Sequence, residues 1–298
     1  MTIYETITNQ IVNAIEKGQH GQFVMPWHSS NGIAITRPIN VASKKPYNGS
    51  NVLMLWLASM DKGYESELWG TYKQWHELGA QVRKGEKATH IAFWTVLDGK
   101  APEGETESEV KSFSMARAYF VFNAAQVDGF ELPKIEKPVI ANPMAPLPVV
   151  DSFVANSAAK VRTGEARAYY NTGMDYINMP ARELFTGSPT SSPTECYYST
   201  LLHELTHWTG HKSRLDREFK REKENYAAEE LVAELGAAFL CADLGIASSA
   251  RPDHAAYIAS WVQWLKSDPK AIFTAASKAQ KACNYLHELN QKNIAIAA

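Results

Sequence analysis

Hydrophobic residues recur with helical spacing at the start of the chain and in two later segments. The first pattern ends at Gly18 and consists of isoleucines four residues apart, Ile3, Ile7, Ile11 and Ile15. It predicts an amphipathic helix. Residues 52–60 predict a second helix and residues 69–79 a third. Segments 90–97 and 118–123 are rich in aromatic and β-branched residues, which predicts paired strands.

A proline-rich segment follows and separates this part from a mainly helical one. Five prolines fall within residues 133–148, a composition that predicts an interdomain linker. Beyond it, two short strands flank a turn at residues 171–173. Helices are predicted around 149–162, 192–210, 226–244, 255–265 and 269–289. The pattern therefore predicts an α+β protein of two domains, residues 1–132 and 149–298, joined by the linker 133–148.

Composition narrows the class of protein. The net charge of −2 over 298 residues provides no overall attraction to nucleic acid, so any such site must be a local patch. The cysteines lack CxxC spacing, which argues against a disulfide framework and a cysteine-based zinc site. No apolar run approaches transmembrane length, and the N-terminus does not resemble a signal peptide. We therefore expect a soluble, cytoplasmic monomer without a membrane partner.

An HExxH motif occupies residues 203–207. A capping box at residues 192–195 predicts that the motif lies in the last turns of a helix. On a helix, His203 and His207 project from one face and can share a divalent metal, Zn²⁺ or another such as Mn²⁺. Glu204 is placed to accept a proton from an attacking water. The motif predicts a metal-dependent hydrolase; the alternative is a structural helix with hydrogen-bonded histidines.

The third metal ligand must come from elsewhere, because a catalytic zinc usually takes three protein ligands. The metzincin spacing fails, since Ser213 stands where its third histidine belongs, and His211 is left as a lesser candidate. The downstream helix offers Glu229, Glu230 and Glu234. Glu229 lies at the flank of the predicted apolar stripe, whereas the other two point more nearly outward. We predict Glu229 as the ligand and Glu230 as second choice; alternatively, all three are solvated charges.

Two co-linear sets of motifs resemble those of one known family. The N-terminal set comprises Pro26-Trp27, Tyr47-Asn48-Gly49-Ser50-Asn51, Trp69-Gly70-Thr71-Tyr72-Lys73-Gln74 and Val82-Arg83-Lys84-Gly85-Glu86. The C-terminal set comprises the HExxH segment through His211, Arg214-Leu215-Asp216 and Glu229-Glu230-Leu231-Val232-Ala233-Glu234. Over nearly its whole length the chain resembles the antirestriction ArdC family.

The resemblance implies a domain that binds single-stranded DNA, followed by a zincin-like metallopeptidase domain. It also implies a protein of conjugative plasmids that protects incoming DNA from host restriction. The implied partners are single-stranded DNA and, further, a DNA-bound protein substrate or a host restriction enzyme. A non-catalytic protein that masks single-stranded DNA, with a structural or vestigial metal site, is the alternative function.

Aromatic and cationic residues in the N-terminal half predict the DNA contacts, because single strands are held by stacking and by phosphate neutralisation. The predicted contacts of these two kinds are Trp27, Lys44, Lys45, Tyr47, Trp69, Tyr72, Lys73, Arg83, Lys84 and Lys87. The resemblance to the ArdC family adds Asn51, which belongs to one of the shared motifs. We expect two or three of the aromatics to be exposed. Trp27 and Tyr47 are the best candidates, because they lie in turn-rich segments.

Two further features of peptide hydrolysis are predicted for the C-terminal half. The strand over residues 175–179 is expected to dock an extended peptide by edge pairing. A tyrosine or histidine is expected to steady the oxyanion. The sequence leaves four candidates open for that role, Tyr197, Tyr198, Tyr226 and His211.

Overall fold

The first element of the computed structural model is helix α1, Ile3–Gly18. The structure describes residues 2–18, 27, 36–97, 113–132, 145–188, 190–217, 223–247 and 255–297. Ile7, Ile11 and Ile15 are buried on one side of α1, as their spacing predicts. Two helices follow, α2 Ser50–Lys62 and α3 Tyr72–Glu77. The third predicted helix starts later than expected, because residues 68–70 pair as a strand instead.

The N-terminal half contains a four-stranded sheet and a two-stranded one. The strands are β1 Ile39–Asn40, β2 Leu68–Gly70, β3 Gln81–Val82, β4 Thr89–Leu97, β5 Phe113–Asn123 and β6 Val127–Asp128. The larger sheet has the order β1-β2-β5-β4, and β3 pairs with β6. The β4–β5 ladder is antiparallel and runs from Thr89 opposite Val121 to Leu97 opposite Phe113. The predicted strand pair is therefore confirmed.

The C-terminal half packs helices beside a small sheet. The helices are α4 Pro148–Asn156, α5 Pro193–Thr209, α6 Lys223–Leu244, α7 Ala255–Ser267 and α8 Ala271–Ala297. The strands are β7 Val161–Thr163, β8 Tyr169–Asn171 and β9 Tyr176–Met179, in the order β7-β9-β8. Within the described chain, no helix is both long and apolar enough to cross a membrane.

The position of β9 contradicts the predicted peptide-docking edge. β9 is the central strand: it pairs in parallel with β7 and antiparallel with β8. Its backbone donors and acceptors are therefore used on both sides, and a substrate cannot add to it as a further strand. The prediction of edge pairing at residues 175–179 is wrong, because the sequence pattern of a strand does not reveal its neighbours.

One buried hydrophobic core runs through both halves of the chain. Ile11 and Trp56 from the N-terminal half share it with Phe239 and Trp261 from the C-terminal half. Polar contacts accompany this packing: the Arg37 guanidinium, for example, lies 2.9 Å from the Asp243 carboxylate. Residues 133–144 of the predicted linker lie outside the described residues, and α4 begins at Pro148. The halves are therefore joined by burial as well as by the chain.

Candidate metal centre and nucleic-acid surface

Helix α5 carries the HExxH motif and begins as predicted. The Ser192 side chain accepts a hydrogen bond from the Glu195 backbone N–H, and the Glu195 carboxylate accepts one from the Ser192 N–H. The helix is buried along almost its whole length, and His203, Glu204 and His207 are all buried within it. Buried polar groups need partners, and the partners of the two histidines define the site.

Helix α6 places the carboxylate of Glu230 close to the imidazole rings of both His203 and His207. Glu230 Oε2 lies 3.4 Å from His203 Nε2, and Glu230 Oε1 lies 3.5 Å from His207 Nε2. The two Nε2 atoms are 3.1 Å apart. Tetrahedral zinc, with ligand bonds of about 2.0–2.1 Å, spaces its ligand atoms about 3.3–3.4 Å apart. His203, His207 and Glu230 are therefore spaced as three ligands of one divalent metal.

Glu229, the predicted third ligand, makes different contacts. Its Oε1 lies 3.3 Å from His207 Nδ1, the ring nitrogen that does not face Glu230. It also forms a buried ion pair with Arg217, at 2.9 Å. Glu234 stands in the same relation to His203, 3.5 Å from its Nδ1. Such carboxylates fix the orientation of ligating imidazoles. The geometry thus favours Glu230 as the ligand, with Glu229 behind His207; the assignment stays a prediction.

The helical-face argument that selected Glu229 rested on a wrong premise. Glu230 and Glu234 were expected to point outward, yet Glu229, Glu230 and Glu234 are only 7%, 7% and 4% exposed. Helix α6 packs against α5, α7 and α8, so its middle turns have no solvent face. A helix enclosed in this way has no single apolar stripe, and periodicity cannot rank its carboxylates.

The electrostatics of the cluster link its members. Burial lowers the pKa of His207, but hydrogen bonds and charges from Glu229 and Glu230 outweigh it and raise that pKa to about 10. Burial raises the pKa of Glu230, but its bonds to both histidines outweigh burial and hold that pKa well below its ordinary value. Because metals bind neutral imidazole, metal binding at this cluster releases protons.

A glycine allows α5 and α6 to approach closely at one point. A Cβ at Gly236 would lie 2.5 Å from Thr206 Cγ2 and 2.8 Å from Thr206 Oγ1. Since real Cβ atoms do not approach other atoms so closely, any side chain at position 236 requires Thr206 or the two helices to shift. Thr206 lies between His203 and His207 in sequence, so this contact bears on the candidate metal site.

Gly236→Ala is therefore expected to destabilise the protein by about 1–3 kcal/mol, the usual cost of overpacking. This cost exceeds the gain in helix propensity, which is about 1 kcal/mol. Urea unfolding measures the change. The double variant Gly236→Ala/Thr206→Ala removes the two nearest atoms and should recover part of the loss. Unchanged stability in the single variant would contradict the close approach.

Two of the predicted DNA-contacting aromatics are inside the protein. Trp27 and Trp69 are both 0% exposed. The Trp27 indole donates a hydrogen bond to Glu234 Oε1 at 3.3 Å, beside the metal cluster. The expectation that Trp27 is exposed is wrong: its turn-rich segment favoured exposure, but the ring packs into the core shared by the two halves. A fully buried ring offers no face to a base.

The other predicted DNA contacts lie at or near the surface. The exposed ones are Lys44, Lys45, Tyr72, Lys73, Arg83, Lys84 and Lys87. Tyr72, Arg83 and Lys84 line one shallow pocket of about 520 Å³. Tyr47 is half-buried, and its hydroxyl accepts a hydrogen bond from Asn40 Nδ2 at 3.0 Å. The Asn51 side chain has a structural role. Its amide group donates a hydrogen bond to the Ala92 carbonyl and accepts one from the Ala92 N–H, both at 2.8 Å.

Known proteins resemble both halves of this chain. The family described as the N-terminal domain of anti-restriction factor ArdC matches residues 1–122, and a zincin-like metallopeptidase family matches residues 148–278. The metal-free crystal structure of the antirestriction protein ArdC from plasmid R388 is 38% identical, with a TM-score of 0.79. It covers 98% of this chain, which covers 99% of it. The chain belongs to the antirestriction ArdC family.

Further relatives agree with the ArdC assignment. The Mn(II)-bound structure of R388 ArdC is 41% identical, with a TM-score of 0.78, over 97% of this chain and 98% of that one. The uncharacterized protein y4eC of Sinorhizobium fredii (strain NBRC 101917 / NGR234) is 44% identical over 96% of this chain and 91% of its own. The DNA primase TraC of Escherichia coli is 34% identical over 98% of this chain, which spans only 27% of TraC.

This ArdC-family chain also exposes aromatic side chains that are not among the predicted DNA contacts. Phe93 and Tyr119, on neighbouring strands β4 and β5, are 55% and 42% exposed and meet edge to face at 5.4 Å. Phe120 is also exposed, but on the opposite face of the ladder, beside His90. The sequence pattern of β4 and β5 predicts the two strands, but it does not reveal which face of the sheet other elements leave uncovered. Phe93 and Tyr119 line a cleft of about 1180 Å³.

The candidates for oxyanion stabilisation differ in how far they are buried. Tyr198 is buried, and its hydroxyl is bonded by the Leu147 N–H and the Arg182 guanidinium. Tyr197 is buried as well. His211 Nδ1 is bonded to Ser213. Tyr226 is exposed and precedes Glu230 by one helical turn, so both project from one side of α6.

Proposed function

We propose that this protein binds single-stranded DNA and hydrolyses peptide bonds at a divalent-metal site, and so protects incoming plasmid DNA from host restriction. We assign DNA binding to residues 1–132 and hydrolysis to residues 149–298, in a monomer that acts in the cytoplasm. One observation carries the hydrolytic part: His203, His207 and Glu230 are spaced as metal ligands beside Glu204. The ion is Zn²⁺, as in zincins, or Mn²⁺, as bound in the R388 relative.

Each residue around the site has a distinct role in this proposal. Glu204 accepts a proton from the attacking water and returns it to the leaving amine. When bound, the metal supplies Lewis acidity, which lowers the pKa of a water and polarises the scissile carbonyl. Glu229, held by Arg217, orients His207. Tyr226, one turn before Glu230, donates a hydrogen bond to the developing oxyanion.

A second candidate function is masking of single-stranded DNA without hydrolysis. It is favoured by the cleft at Phe93 and Tyr119, a surface formed without any member of the metal cluster. The two candidates differ in whether protection requires Glu204, and the Glu204 variant treated in the Discussion separates them.

The DNA-binding part is tested by replacing the exposed aromatic pair. Phe93→Ala/Tyr119→Ala is expected to weaken binding of a mixed-sequence single-stranded oligonucleotide by about 1–3 kcal/mol per stacked base. That is about 5- to 150-fold in Kd for each ring that stacks. Fluorescence anisotropy with a labelled oligonucleotide measures it. Duplex DNA should compete poorly, because its base faces are hidden.

The matched control for this experiment is Phe120→Ala. Phe120 is a neighbouring exposed aromatic on the same ladder, but it faces away from the cleft. Its replacement should leave the Kd close to the wild-type value. The proposal fails if the double variant binds as the wild type does, or if Phe120→Ala alone produces the loss.

A further inference from the structure

Helix α8 presents a row of polar residues along its exposed face. Lys278 and Lys281 are exposed on it, and Lys270 precedes the helix on the same side. Thr274 and Ser277 lie between them and are exposed too. At 3.6 residues per turn these positions align in one stripe, and the row from Lys270 to Lys281 rises about 16 Å along the helix axis. The opposite face of α8 is buried in the core.

This stripe forms one wall of the cleft of about 1180 Å³. The facing wall comes from the N-terminal half and includes Lys45, Tyr47, Phe93 and Tyr119. The walls are joined where the Gly49 N–H donates to Gln280 Oε1 at 3.3 Å and where the Tyr4 and Phe273 rings meet at 5.0 Å. Among the described residues that line the cleft there is no aspartate or glutamate, although the whole chain carries a net charge of −2.

We propose that α8 is the phosphate-binding wall of the single-stranded DNA groove, so that the metallopeptidase domain supplies half of the nucleic-acid site. Lys270, Lys278 and Lys281 contact successive phosphates, and the bases face Phe93 and Tyr119. Cations on one wall and aromatic rings on the other suit a strand with a charged backbone and flat, exposed bases. An acidic peptide would bind the lysines but would make no comparable use of the aromatic rings on the facing wall. The inference rests on the proposed DNA binding and extends it beyond residues 1–132.

The test uses the full chain with Lys278→Gln/Lys281→Gln. Each phosphate contact on a single strand contributes about −0.7 to the slope of log K against log salt. Loss of two contacts should therefore make the slope shallower by about 1.4 units and weaken binding most at low salt. Lys278→Arg/Lys281→Arg should restore both quantities. Phe93→Ala/Tyr119→Ala should weaken binding without changing the slope.

The matched control is Lys62→Gln/Lys160→Gln, which removes the same charge from exposed lysines that do not line the cleft. It should keep the wild-type slope. If the wild type does not bind single strands, the proposed function itself fails. If the wild type binds and the aromatic variant weakens binding, but the α8 variant matches this control, the inference about α8 alone is overturned. Displacement of the oligonucleotide by polyglutamate as effectively as by unlabelled single strand would also overturn it.

Discussion

Replacing Glu204 by glutamine is expected to slow peptide hydrolysis strongly while metal binding persists. Glutamine has nearly the same shape, so the buried packing around this side chain is kept. It cannot accept a proton from water, and positioned general bases contribute roughly 10²- to 10⁴-fold to rates. The rate of cleavage of an unstructured protein such as casein should fall by that factor. Metal content, measured by mass spectrometry, should stay at the wild-type level.

Glu183→Gln is the matched control, because Glu183 is exposed and does not belong to the metal cluster. In cells, the corresponding readout is the survival of unmodified plasmid DNA that enters a restricting host. Loss of protection in Glu204→Gln alone supports hydrolysis as the protective activity. Full protection by Glu204→Gln would instead identify DNA masking as the function, and wild-type cleavage by this variant would contradict the role of Glu204.

Replacing Glu230 by glutamine is expected to lower metal affinity more than the same change at Glu229. Structural zinc sites provide roughly 10–16 kcal/mol, so one lost ligand costs roughly 3–4 kcal/mol, or about 10²- to 10³-fold in Kd. Glu229 contacts the far nitrogen of His207, and loss of such an orienting group typically costs 10- to 100-fold. Competition with a chromogenic chelator measures both constants.

Glutamine is the better replacement at Glu229, because its amide oxygen can still accept a hydrogen bond from the buried Arg217 guanidinium, whereas alanine has no acceptor at this position. His211→Ala is the control for the lesser candidate ligand, whose Nδ1 is bonded to Ser213. It should keep wild-type affinity. If Glu229→Gln loses more metal than Glu230→Gln, Glu229 and not Glu230 is the third ligand.

Local sequence signals predicted the α5 cap and the β4–β5 pair, but the helix predicted over residues 149–162 ends at Asn156, and β7 begins at Val161. The α5 cap was visible because Ser192 and Glu195 contact each other within one turn. The pairing of β4 with β5 could be predicted from the aromatic and β-branched residues of the two strands. Both depend on residues close in sequence, whose preferences act before the chain is packed.

The features that the sequence did not reveal depend on distant contacts. Trp27 is buried because it meets Glu234, 207 positions away. The choice between Glu229 and Glu230 depends on how α6 packs on α5, where Gly236 and Thr206 approach closely. The cleft depends on what faces α8 across it, and no periodicity within α8 carries that information.

The hydrogen bond from Trp27 to Glu234 has a consequence for engineering chimeric proteins. Glu234 also contacts His203, so an N-terminal residue supports an imidazole of the metal cluster through one intervening carboxylate. Because a ligand that binds only the native arrangement stabilises it, the metal should favour association of the two halves. If the halves of two relatives are exchanged, the residues at positions 27 and 234 must therefore still be able to form this contact. A hybrid in which these two residues do not fit each other would bind metal more weakly, even if it kept every metal ligand.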